Sequence, residues 1–201
     1  MIIGLTGSIA MGKSATSAMF KKLGYPVFDA DGAVHKLYDK GGEAALQIAQ
    51  LFPDVMQDGV VDRKRLSQKI ASDETVFPQI EKIVHPLVWL LEKEFISTHK
   101  QAGSKLIIID NPLLFEANRI EEVDIIVVVS APLTVQRQRA LQRPGMTPEK
   151  LDLIIARQLP DEEKRARADY VIETDISLEN AFEQVKKMVK ELDPDNSGLN
   201  K

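Results

Sequence analysis

Cysteine is absent from the 201 residues. That excludes disulfides, thiolate metal sites and a cysteine nucleophile. An excess of positive charge is also absent: 26 Lys and Arg stand against 30 Asp and Glu, a net charge of −4. No basic patch dominates, so nucleic acid is not expected as a partner. The opening residues MIIGLTG lack a charged n-region and an apolar h-region of about 7–15 residues, so no secretory signal is expected. Apolar runs long enough to span a bilayer are missing, and no membrane partner is expected. A cytoplasmic protein is the default expectation. What is present is ordinary globular composition, 44% hydrophobic and 28% charged.

Four short apolar runs, Ile2 to Thr6, Leu106 to Asp110, Asp124 to Val129 and Tyr170 to Glu173, are rich in β-branched residues and do not alternate. Both of their faces must be covered, as in a parallel sheet flanked by helices. Pro26 to Asp29 is read as a fifth strand. Helical patterns lie between them: Lys13 to Leu23, closed by Gly24 at C′; Pro132 to Gln142, with proline at its start; and Ser177 to Leu192, capped by Ser177. Strand–helix alternation predicts an α/β fold. From Asp31 to Lys105 no strand-like run appears. A crossover needs about a dozen residues, so most of this stretch is expected to be a helical insert. Its helices are read at Gly42 to Phe52, Arg63 to Ala71 and Asp73 to Lys100, the last interrupted at Pro78 and Pro86. The expected division is a core of residues 1–34 plus 103–193 and an insert of 35–102. A lid spans 137–165 within the core, and a flexible tail spans 194–201. The polar end from Asp193 to Lys201 is expected to fray.

Gly7-x-x-x-x-Gly12-Lys13-Ser14 follows the first strand and runs into a helix. Glycines permit backbone conformations closed to other residues, so several N–H groups can converge on one anion. The helix N-terminus adds its free N–H groups and its positive dipole end. In a phosphate-binding loop of this pattern the lysine reaches the β- and γ-phosphates and the serine hydroxyl ligates Mg²⁺. Gly7, Ser8, Ile9, Ala10, Met11, Gly12, Lys13, Ser14 and Ala15 are therefore the expected ATP contacts.

Asp29-Ala30-Asp31-Gly32 matches the D-x-x-G of GTP-driven switches, but no N-K-x-D guanine reader exists in the chain. A large motor needs more residues. A small phosphoryl-transfer kinase fits the length, with a non-catalytic nucleotide switch as the alternative. Ligands of open parallel sheets sit at the strands' carboxyl ends. Asp29 and Asp31, just past the second strand, are candidates to accept a hydroxyl proton or help hold Mg²⁺; their plainer role is helix capping. Asp110 ends the third strand and is a candidate to face the metal through water. Arg137, Arg139, Arg143, Arg157, Arg165 and Arg167, with Lys164, cluster after the fourth strand. They form either a lid that neutralises the transferring phosphoryl group or a solvated face paired with Glu149, Asp152, Glu162 and Glu163.

With LTGSIAMGKS, FDADGAVHKLY, IVHPLV, IDNPLLFE, QRQRALQR and QLPDEEKRARADYVIETD in hand, the chain resembles the dephospho-coenzyme A kinase family from Ile2 to Leu192. The resemblance implies a P-loop kinase-like fold: a parallel five-stranded sheet flanked by helices, with a helical insert and a helical lid. It implies that ATP phosphorylates the ribose 3′-hydroxyl of dephospho-coenzyme A, giving coenzyme A and ADP, with Mg²⁺ as cofactor, in a monomer or weak homo-oligomer. It puts the general base on Asp31, phosphate binding on Lys13 and lid charge on Arg143 and Arg139. It places His85 and Pro86 near the acceptor, with Pro112, Leu113, Leu114 and Phe115 as an acceptor wall or plain core. Without it, the residues leave open a kinase for another nucleoside-like acceptor.

Three positions depart from the family pattern. Ala10 replaces a glycine, and phosphate binding is expected to be kept with residue 10 at φ below zero. Ala15 replaces a threonine. Asn111 replaces an apolar residue and is expected to alter the pocket beside Asp110.

Overall fold

A computed structural model describes residues 1–195; the rest of the expected tail lies outside the described residues. The chain divides into two compact units, residues 1–28 with 99–201, and residues 29–98.

The first unit carries a five-stranded parallel sheet. Its strands are β1 (Ile2–Thr6), β2 (Val27–Asp29), β5 (Ile107–Asp110), β6 (Ile125–Ser130) and β7 (Tyr170–Glu173), in spatial order β2-β5-β1-β6-β7. Central β1 pairs with β5, Leu5 beside Asp110, and with β6, Leu5 beside Val127; β6 pairs with β7, Ser130 beside Glu173. The register brings the ends of β1, β5, β6 and β7 to one edge, where the phosphate loop begins.

Alternate side chains of the strands face a single core. Ile3, Leu5, Ile108, Val127, Val129 and Ile172 meet Phe20 of α1 (Lys13–Lys22) and Val185, Met188 and Val189 of α9 (Leu178–Leu192). Fully burying such side chains contributes about 1.5–3 kcal/mol each, which fixes α1, and so the loop before it, against β1. Gly24 closes α1 at φ 84, and Ser177 caps α9 through the N–H of Asn180 at 3.0 Å. Asp193 is not frayed: it is buried, and the Tyr25 hydroxyl donates to it at 2.9 Å. Residues 133–166 hold α6 (Leu133–Leu141), α7 (Pro148–Ala156) and α8 (Asp161–Ala166).

The second unit is mainly helical: α2 (Ala30–Tyr38), α3 (Glu43–Leu51), α4 (Arg63–Ser72) and most of α5 (Val76–Gln101). Helix α2 is not among the helices read for the insert, but its start bears out the capping role read for Asp29, whose carboxylate accepts from the N–H of Gly32 at 3.0 Å. The stretch also contains a small hairpin, β3 (Met56–Gln57) and β4 (Val60–Val61). Its turn puts Asp58 at φ 52 and Gly59 at φ 83, the Asp-Gly chemistry of a tight hairpin. Helix α5 is not broken at Pro78. That proline falls in the first turn, where no amide donor is needed, and the helix continues through Pro86. No helix among the described residues is long and apolar enough to cross a membrane.

Candidate active site

The loop between β1 and α1 is shaped by its glycines. A side chain on Gly7 would meet the carbonyl of Val129 at 2.6 Å. Gly12 stands at φ 99 with Thr174 against it, 3.1 Å from where a Cβ would lie. Among the described residues, the N–H groups of Gly12, Lys13 and Ser14 meet no acceptor within the chain. Free donors of this kind at the N-terminus of α1 are suited to an anion. Ser14 is exposed there.

Residue 10 does not keep φ below zero: Ala10 stands at φ 61. The left-handed conformation costs an L-residue about 1–2 kcal/mol. An opposing gain comes from packing, because the Ala10 methyl is buried with Ala140 of α6 and Leu151 of α7, with Ile9, Met146 and Ile155 around them.

Three side chains brace the loop from outside. Gln136 donates to the carbonyl of Ile9 at 2.9 Å, and the Ile9 N–H donates to Oε1 of Gln158 at 3.0 Å. The Thr174 hydroxyl donates to the carbonyl of Met11 at 2.7 Å. The Ile9 amide is thus already engaged, unlike those of residues 12–14. These braces join residues well over 100 positions apart, so no local sequence signal marks them. A buried Gln136 at 3% exposure is their clearest signature.

Lys13 pairs with Asp110 at the end of β5, their side chains 14% and 5% exposed. Asn111 accepts from the N–H of Leu113 at 2.9 Å, so its polar group caps the turn after β5. Within the expected acceptor wall, Pro112 is half-buried, Leu114 and Phe115 are buried, and Leu113 is 49% exposed. Phe115 lies under the Arg167 guanidinium at 4.9 Å.

The basic residues of α6 to α8 and the turns between them separate into distinct environments. Arg137 pairs with Asp152. Arg139 donates to the Thr174 hydroxyl at 3.0 Å and carbonyl at 2.6 Å. Arg165 pairs with Glu173 at 2.6 Å and donates to Ser130 at 2.9 Å, and the Glu173 contact raises its already high pKa. Arg143 and Arg157 are exposed, and among the described residues Arg143 has no ion pair. A cleft of about 990 Å³ opens between this region and the loop, lined by Ser8, Met11, Gln136, Asp161, Glu173 and Asp175 among others.

In the second unit, Asp31 is exposed in the first turn of α2 and Asp29 caps that helix. His85 is exposed on α5, 3.7 Å from Glu81 one turn earlier, and Pro86 beside it is exposed as well.

The family model described as CoaE, dephospho-CoA kinase, matches residues 1–180. The chain is 47% identical over 192 residues to a dephospho-CoA kinase of Mesorhizobium japonicum, covering 96% of both chains. Its fold is similar to the crystal structure of TT1252 from Thermus thermophilus, with a TM-score of 0.82 and 33% identity over 96% of this chain and 97% of that one. The dephospho-CoA kinase from Campylobacter jejuni shares the fold at a TM-score of 0.68 and 23% identity, covering 95% and 96%.

Proposed function

The chain belongs to the dephospho-CoA kinase family, and from that premise we propose how its residues carry phosphate from ATP to the ribose 3′-hydroxyl of dephospho-coenzyme A. The observation that carries the proposal is the set of unmet N–H groups at residues 12–14 with Lys13 beside them. That set suits a triphosphate. Lys13 exchanges part of its contact with Asp110 for the β- and γ-phosphate oxygens. The donor set also suits a magnesium ion, which prefers oxygen ligands and several waters: the Ser14 hydroxyl and, through water, the Asp110 carboxylate would hold it. When bound, the ion neutralises charge on the phosphates.

Asp31 takes the proton of the 3′-hydroxyl. The freed oxygen forms a bond to the γ-phosphorus, the bond from that phosphorus to the β-bridging oxygen breaks, and ADP leaves. Asp29 is a cap and is given no part in the chemistry. Arg143, exposed at the turn between α6 and α7, supplies lid charge to the transferring group. Arg139, held by Thr174, fixes the rim of the loop beside Gly12. On the acceptor side Leu113 and His85 offer exposed surface, while Leu114 and Phe115 support the wall from within. The test is ADP release with ATP as donor, with and without dephospho-coenzyme A. Release that depends on the acceptor supports the proposal, and release indifferent to it counts against it.

A further inference from the structure

Lys164 of α8 is fully buried, with its ammonium 2.8 Å from Oε1 of Glu116. The contact is an ion pair without the angles of a hydrogen bond, and the second oxygen of Glu116 is buried with no hydrogen-bond partner. A buried pair of this kind is a poor source of stability. Desolvating two charges costs several kcal/mol, and apolar replacements are often as stable or more so. Its placement suggests another use.

Glu116 lies in the turn segment that follows β5 and Asp110. The same Oε1 that faces Lys164 accepts the N–H of Leu159 at 2.9 Å. The neighbouring residue, Gln158, accepts the Ile9 N–H of the phosphate loop at 3.0 Å. Beyond Leu159, Asp161 accepts from the Ser130 hydroxyl at 2.6 Å, and Arg165 grips Ser130 and Glu173. The stretch from 158 to 165 is therefore pinned to the loop, to the segment after β5 and to the ends of β6 and β7. The ion pair sits at its centre.

We propose that Glu116 and Lys164 are positioning residues: they hold Leu159, and through it Gln158, so that the first half of the phosphate loop is set for the transferring phosphate. The proposal rests on the reading that this loop holds ATP. A misplacement of about 1 Å at a reacting group can cost on the order of 10²-fold in rate, so a brace one residue removed from the loop can matter that much.

The test separates positioning from stability. In Glu116→Leu/Lys164→Met both charges are replaced by apolar groups of similar size and the acceptor for Leu159 is lost. The expected result is a Tm near that of the parent with kcat/KM for ATP lowered at least ~10-fold and KM for dephospho-coenzyme A unchanged. Adding Gln158→Ala to this variant is expected to cost little more, because both changes act through the same brace. Gln158→Ala alone, at a half-buried site, is expected to lower kcat/KM for ATP by a similar factor, and it keeps the test open if the paired variant folds poorly. Full recovery of kcat/KM along with Tm, full additivity with Gln158→Ala, or an unaffected Gln158→Ala enzyme overturns the proposal. Lys13→Ala is the control for the underlying reading: if it retains normal turnover, the ATP-loop reading itself fails, whatever the pair does.

Discussion

The ammonium of Lys13, at the start of α1, pairs with the carboxylate of Asp110, at the end of β5, both largely shielded from water. Each of the two is therefore the other's counter-charge in the free protein. Lys13→Ala removes one charge of this shielded pair, which destabilises the fold. The variant is expected to lose turnover and to melt at lower denaturant concentration. A Lys13→Ala protein with unchanged turnover contradicts the role given to the loop.

Asp31→Asn is expected to lower kcat at least ~10²-fold, the lower end for loss of a general base, with an unchanged circular dichroism spectrum. Asp29→Ala is expected to behave in the opposite way. It removes the cap of α2, so stability falls by about 1 kcal/mol while kcat stays within about twofold of the parent. Steady-state kinetics and urea melts on the two variants reveal whether these roles are reversed.

At residue 10 two effects oppose each other. Ala10→Gly relieves about 1–2 kcal/mol of left-handed strain. It also gives up a buried methyl group worth about 0.8 kcal/mol and about 0.4–1 kcal/mol of unfolded-state entropy. Stability should therefore change by less than about 1 kcal/mol. Ala10→Val, β-branched at φ 61 and pressed against Ala140 and Leu151, should destabilise by more than about 2 kcal/mol. Equal behaviour of the two variants in urea melts contradicts the conformation at this position.

The Glu116 carboxyl has a definite pH signature. Burial pushes its pKa up, but Lys164 and the N–H of Leu159 together outweigh burial and leave it below the ordinary value. The folded state therefore favours the charged form more than the unfolded chain does. The resulting stability is fully present above the unfolded glutamate value of about 4.3 and is lost as pH falls below it toward the lower folded value. Urea melts from neutral pH into acid should show Glu116→Gln less stable than the parent at pH 7. The gap should narrow only below about pH 4.3. A gap that stays constant into acid contradicts the pairing.

Much of the fold was legible because it rests on local pattern. The unbroken apolar runs at Ile2, Ile107 and Tyr170 mark strands covered on both faces, and Gly24 and Ser177 mark helix ends. Asn180 receives the expected cap at 3.0 Å. The hairpin at Met56–Val61 was carried by an Asp-Gly turn that two-residue strands gave too little pattern to support. The continuity of α5 through Pro86 depends on packing along a long helix, which outweighs the loss of one hydrogen bond. The left-handed Ala10 was hidden because its strain is offset by neighbours at positions 140 and 151. In the candidate site, the positions of Lys13 and Ser14 at the start of α1 and of Asp110 at the end of β5 could be read from spacing and strand ends. Gln136, Gln158, Thr174 and the Glu116–Lys164 pair could not, because each acts on a residue far away in the chain.

The central claim is that the loop and its surroundings serve transfer to one particular hydroxyl. The most direct measurement is ADP release by the unmodified protein with ATP and a panel of dephospho-coenzyme A, nucleosides and nucleotides, with the product analysed for the position of its new phosphate. Release that requires dephospho-coenzyme A and yields a 3′-phosphorylated product is the predicted result. Equal release across the panel, or a phosphate placed elsewhere on the acceptor, contradicts the claim.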